Sequence, residues 1–112
     1  QALLLMNDVQ HFEAARNFAQ RLITDGGSTP AERFTFGFRT VTARKPDSAE
    51  LKMLEQSLDK QLARYRADKE AAAKAIKYGE SPVKAGLDES ALAAYTLVAN
   101  LLLNLDETLT KN

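Results

Sequence analysis

The chain has 112 residues, 45% of them hydrophobic and 27% charged, with 15 Lys and Arg matched by 15 Asp and Glu. That length suits one domain with its own core, and that composition excludes a disordered or fibrous chain. Zero net charge removes long-range attraction to nucleic acid or anionic membrane, and the lack of cysteine removes disulfides, thiol catalysis, covalent haem attachment and zinc–thiolate sites.

The chain opens on Gln1, directly before the apolar run Ala2-Leu3-Leu4-Leu5-Met6. Bare leucines need a covering surface, so Leu3 and Leu4 read as interaction residues. The start without Met leads us to expect residues 1–112 to be one helical domain cut from a larger protein. No basic region or cleavage pattern of a signal peptide is present in these opening residues.

Helical spacing of Val9, Phe12, Ala15, Ala19, Leu22 and Ile23 predicts a first helix over 8–24, capped by Asn7 or Asp8. It stops at Asp25-Gly26-Gly27-Ser28, a loop that tolerates positive φ. Thr29-Pro30-Ala31-Glu32 starts the second helix: Thr29 caps, Pro30 takes the first position and Glu32 faces the positive end of the dipole. Phe34, Gly37, Phe38 and Val41 share one face of it, with Gly37 allowing a neighbouring helix to approach closely. Lys45 precedes Pro46, so this helix ends near Arg44.

Asp47 or Ser48 caps the third helix, whose apolar stripe is Leu51, Leu54, Leu58, Leu62 and Tyr65. Asp68 is a candidate interruption, and the alanines 71–73 continue the helix to Tyr78. Two glycines and Pro82 make residues 79–87 a loop. Asp88-Glu89-Ser90 starts the last helix, which is apolar almost all round and therefore central. The expected fold class is all-α: a compact bundle of about four to five helices around a buried C-terminal helix. The longest near-apolar run, 91–105, is shorter than the ~20 residues needed to span a bilayer, so no transmembrane segment is expected.

Chemistry-bearing residues are sparse. His11 is the single histidine, with Asp8 three positions before it, and a metal site needs three or four ligands, so no metal is expected. Ser28, Ser48 and Ser90 sit at helix starts, where capping explains them, and no nucleophile elbow exists. Asp106 and Glu107 follow the buried helix, but adjacent residues point about 100° apart and do not converge on one substrate. Thr96, Asn100, Asn104 and Thr108 form a polar stripe on the last helix. It is either a hydrogen-bonded seam against another helix or domain, or a narrow solvent-facing strip. Lys60, Arg64, Arg66, Lys69, Lys74 and Lys77 crowd one stretch without sharing a face; a solvated surface is favoured over a phosphate or nucleic-acid patch. Gly26-Gly27-Ser28 before a helix start has neither the preceding strand nor the Gly-Lys-Ser/Thr of a phosphate loop.

Three stretches together carry a family resemblance: residues 2–8 with Ala14-Ala15-Arg16; Phe38-Arg39-Thr40-Val41-Thr42-Ala43-Arg44-Lys45-Pro46 running into Ser48-Ala49-Glu50-Leu51; and Leu102-Leu103-Asn104-Leu105-Asp106-Glu107. From Ala2 to about Lys111, this order resembles the C-terminal part of a planctomycete-type domain of unknown function. Such domains end large exported bacterial proteins that often carry cytochrome-c-like domains upstream. The resemblance implies a periplasmic or cell-surface location, and haem c elsewhere in a parent protein but not in this segment, which lacks Cys-x-x-Cys-His. Thr108 stands where the family usually has an aromatic residue.

No catalytic, cofactor-binding or metal residue is assigned. The leading reading is a structural or interaction domain docking onto upstream domains or another protein, through Leu3, Leu4, Thr96, Asn100, Asn104, Asp106 and Glu107. One rival makes it an accessory part of an active site whose chemistry lies upstream, with Asn104, Asp106, Glu107 or His11 lending a polar group. The other is weak anion or nucleic-acid binding through the Lys60 to Lys77 stretch. Oligomeric state is left open.

Overall fold

Helix starts are where the sequence speaks most clearly, and the computed structural model bears this out. It describes residues 9–77 and 88–111, with side chains over 12–76 and 88–105. Five helices follow one another: α1 (Val9–Asp25), α2 (Pro30–Thr42), α3 (Ser48–Ala67), α4 (Lys69–Lys77) and α5 (Glu89–Lys111). No strand occurs among the described residues. The fold is all-α, as expected. The residues proposed to cap α1, and the expected loop at 79–87, lie outside the described residues.

Two complete capping boxes set the starts of α2 and α3. Thr29 Oγ1 accepts from the Glu32 amide at 3.2 Å while Glu32 Oε1 accepts from the Thr29 amide at 3.2 Å. Asp47, rather than Ser48, caps α3: its Oδ1 accepts from the Glu50 amide at 2.7 Å, and Glu50 Oε1 accepts from the Asp47 amide at 2.9 Å. Each box satisfies two amides that a helix start otherwise leaves bare. α2 stops at Thr42, before the expected Arg44, because Ala43 turns left-handed (φ 64°) and its amide donates back to the Arg39 carbonyl at 2.9 Å. Asp68 does interrupt the third helix. Its amide donates to the Arg64 carbonyl at 3.2 Å and its Oδ1 accepts from the Ala71 amide at 3.1 Å, closing α3 and opening α4 with one residue.

α5 is the centre of the bundle. It packs against each of the other four helices, most extensively against α1. Residues 92–96 are all buried, more than one full turn of 3.6 residues, so α5 is enclosed around its circumference at that level. Leu92, Val98 and Leu102 of α5 share one core with Leu22, Phe34, Phe38, Leu54 and Leu58. Gly37 is where α2 meets this core most tightly. A Cβ there would lie 2.6 Å from Leu22 Cδ2 and 3.1 Å from Leu102 Cδ1, so the missing side chain is what lets α2 close on α1 and α5.

The neighbours Leu101 and Leu102 test this arrangement. Leu102 is fully buried and Leu101 is 39% exposed. Leu102→Ala is expected to cost about 2–5 kcal/mol of unfolding free energy. Leu101→Ala should stay within about 0.5 kcal/mol. Urea denaturation of both variants checks it, and equal losses would contradict the enclosed position of α5.

Candidate functional site

The residues singled out from sequence do not assemble into one described site. Leu3 and Leu4 lie outside the described residues, as do the side chains of His11, Lys77, Asp106, Glu107 and Thr108. Thr96 and Asn100 are 2% and 5% exposed, so that part of the polar stripe faces the interior and the solvent-strip reading is set aside for both. Thr96 Oγ1 donates to the Leu92 carbonyl at 2.7 Å, within its own helix. Asn100 Oδ1 is buried with no hydrogen-bond partner. Asn104 is half-buried. Lys60, Arg64, Arg66, Lys69 and Lys74 are exposed, and α3 ends between them at Ala67. Among the described residues no group of three His, Cys, Asp or Glu side chains could hold a metal ion, and no helix is long and apolar enough to cross a membrane.

A buried cation escaped the sequence reading. Arg16 has no exposed surface, and its Nη1 donates to the Ile76 carbonyl, joining α1 to the last turn of α4. The signal was present: residues 12, 16, 19 and 23 keep the 3–4 helical spacing, so a charge stands where the pattern asks for an apolar residue. Arg33 is a second clamp. Its Nε donates to the Gly27 carbonyl at 3.0 Å and its Nη1 to Tyr95 Oη at 3.2 Å, with the guanidinium 5.5 Å from the Tyr95 ring centroid. This ties the α1–α2 loop, where Gly27 adopts φ +114°, to α5.

An open groove of about 590 Å³ lies on the outer face of α2, lined among the described residues by Ala31, Glu32, Thr35, Phe36, Arg39 and Thr40. Phe36 sits about 200° round the helix from Phe34, half-buried and packed against the edge of the core. Arg21 of α1 lies over its ring, 5.6 Å from the centroid. An aromatic on the face opposite the Phe34-Gly37-Phe38 stripe was the sequence signal for this groove. Most of its polar atoms are committed. Thr35 Oγ1 donates to the Ala31 carbonyl and Thr40 Oγ1 to the Phe36 carbonyl, both at 2.8 Å. Glu32 Oε1 accepts from the Ser28 amide at 2.9 Å, the Thr29 amide and the Ser28 hydroxyl. The Ser28 amide first, then the Thr29 amide, holds the Glu32 carboxyl below its ordinary value. Arg21 and Arg39 are exposed and make no ion pair or hydrogen bond among the described residues.

Fold and site together define an all-α bundle closed on its C-terminal helix, without an assembled catalytic or metal centre among the described residues. Residues 1–58 match the family described as "Protein of unknown function (DUF1553)". The chain belongs to that family, in agreement with the resemblance drawn from sequence. The match ends within α3, short of the expected reach to about Lys111. No curated protein and no solved structure matches the chain.

Two outcomes follow from these side chains. Asn100→Leu removes a buried acceptor that nothing satisfies, so urea denaturation should show it neutral or stabilising by up to about 1–3 kcal/mol. A comparable loss would mean the amide is bonded in solution. Glu50 is the second case. The bidentate Arg44 guanidinium (2.9 and 3.0 Å), then the Asp47 amide, lowers its pKa from the ordinary 4.5. Because the folded value is depressed, its contribution is fully present above pH 4.5 and is lost as pH falls through the folded value. The stability gap between the natural chain and Glu50→Gln should therefore be open at neutral pH and close in acid. Thermal melts across that range check it, and a gap that widened in acid would reverse the sign.

Proposed function

We propose that the chain is an interaction module of a larger exported bacterial protein. The bundle around α5 is the rigid part, and the outer face of α2 is the part that docks, against another segment of the same polypeptide or a second protein. The single observation that carries this reading is the open groove beside Phe36, with Arg39 in its lining and Arg21 over the Phe36 ring, neither making an ion pair among the described residues. Aromatic and arginine side chains are the residues most enriched at protein interfaces, because they combine large contact area with directional donors. The exported setting rests on the family resemblance.

The test is site-specific photo-crosslinking in the native host. A benzoylphenylalanine is placed at Thr40, an exposed residue of the groove, and in a control at Gln56, exposed on α3. A single protein segment crosslinked from position 40 and not from position 56 is the expected result. Equal labelling from both positions, or none from position 40, would refute α2 as the docking face.

A further inference from the structure

We propose that the α2 groove receives an acidic, apolar-anchored peptide segment of a partner protein, one apolar side chain lying on Phe36 and a neighbouring carboxylate held by Arg39 and Arg21. This rests on the interaction reading above and gives the partner its chemistry.

The argument is one of elimination within the groove, followed by charge complementarity. Thr35 and Thr40 have spent their hydroxyl protons on their own helix carbonyls, so neither donates to a ligand. Glu32 is drawn toward the loop by three hydrogen bonds and stays ionised, its pKa lowered by the backbone amides it accepts from. What remains in the lining is apolar surface from Ala31 and Phe36 and the donors of Arg39, with Arg21 of α1 at the groove's edge over the Phe36 ring. A guanidinium is a planar fork that matches a carboxylate with two parallel hydrogen bonds, and its flat face already stacks on an aromatic ring. The stack fixes Arg21 over Phe36, which lowers the ordering cost of a second contact there.

A polyanion fits less well. Two arginines flanked by an ionised Glu32 give a local charge that favours one carboxylate and repels a run of phosphates, and the chain carries no net positive charge to compensate. An apolar peptide without an acid leaves the two guanidinium groups crowded by apolar atoms and unpaired, which costs affinity.

The experiment pans a random dodecapeptide display library on the 112-residue chain and measures the selected peptides by fluorescence anisotropy. Two surface variants are compared with the natural chain: Thr40→Trp, which fills the groove from an exposed position, and Arg21→Glu/Arg39→Glu, which reverses its charge. Circular dichroism confirms that each is folded. The expected result is enrichment of peptides pairing Leu, Met or Phe with Asp or Glu. Their binding should fall at least about tenfold in both variants, a loss of about 1.4 kcal/mol.

Peptides blocked by Thr40→Trp but indifferent to charge reversal, or free of acidic residues, would overturn the acidic partner while leaving α2 as a docking face. Peptides unaffected by Thr40→Trp would overturn the groove itself, and with it the interaction reading. A twelve-nucleotide oligothymidylate that binds more tightly than any selected peptide, and loses binding on charge reversal, would replace the peptide with a nucleic acid.

Discussion

A helix that is apolar almost all round has little surface it can give to water, and this constraint on α5 organises the rest of the bundle. Every other helix is placed by the need to cover part of it. α2 comes close only because Gly37 has no side chain to collide with Leu22 and Leu102. Phe34 reaches Tyr95 with ring centroids 5.6 Å apart, and Arg33 binds the hydroxyl of that same tyrosine. The loop between α1 and α2 is thereby tied to the rod at the centre. Burial of this kind is the largest favourable contribution in a chain of this size, and it carries no direction of its own. Direction comes from the capping boxes, which fix where α2 and α3 begin, and from Asp68, which breaks what would have been one long helix into two that can wrap round α5.

Polar groups inside such a bundle need separate accounts. Thr96 costs little, because its hydroxyl bonds to a carbonyl of its own helix. Arg16 delivers a guanidinium hydrogen bond to the Ile76 carbonyl, one of the groups that a helix end leaves without an intrahelical partner. A long cationic side chain thereby joins α4, the shortest of the five helices, to α1. Asn100 Oδ1, like Arg16 Nε, is buried without a hydrogen-bond partner. For the Asn100 oxygen, that is a cost the fold does not recover through any hydrogen bond of its own.

The outer surface shows the opposite economy. Charged side chains of α2 and the loops on either side of it are mostly engaged, Glu32 in a capping box and Arg44 in a forked pair with Glu50. Against that background the guanidinium groups of Arg21 and Arg39 make no ion pair among the described residues, and Arg21 lies over Phe36, a ring packed partly against the core and partly open to the groove. Membership of a family of unknown function supplies no activity to set against this. On the α2 face an aromatic ring and these unpaired guanidinium donors meet at the surface.

The sequence by itself determined a bundle of four to five helices, the Thr29-capped start of α2, Asp68 as a candidate break, the close approach at Gly37 and the central place of α5. Each is a local property: a capping residue, a helix breaker, a missing side chain, or the uninterrupted apolarity of one segment. Periodicity could also have flagged Arg16 and Phe36, each standing on the wrong face of its helix for its type. Tertiary structure decided that the Thr96 and Asn100 stripe turned inward, and that Arg21 of one helix met Phe36 of another at the edge of the α2 groove. These outcomes depend on how rods are rotated against each other. That rotation is set by the packing of side chains far apart in sequence, which no single helix encodes.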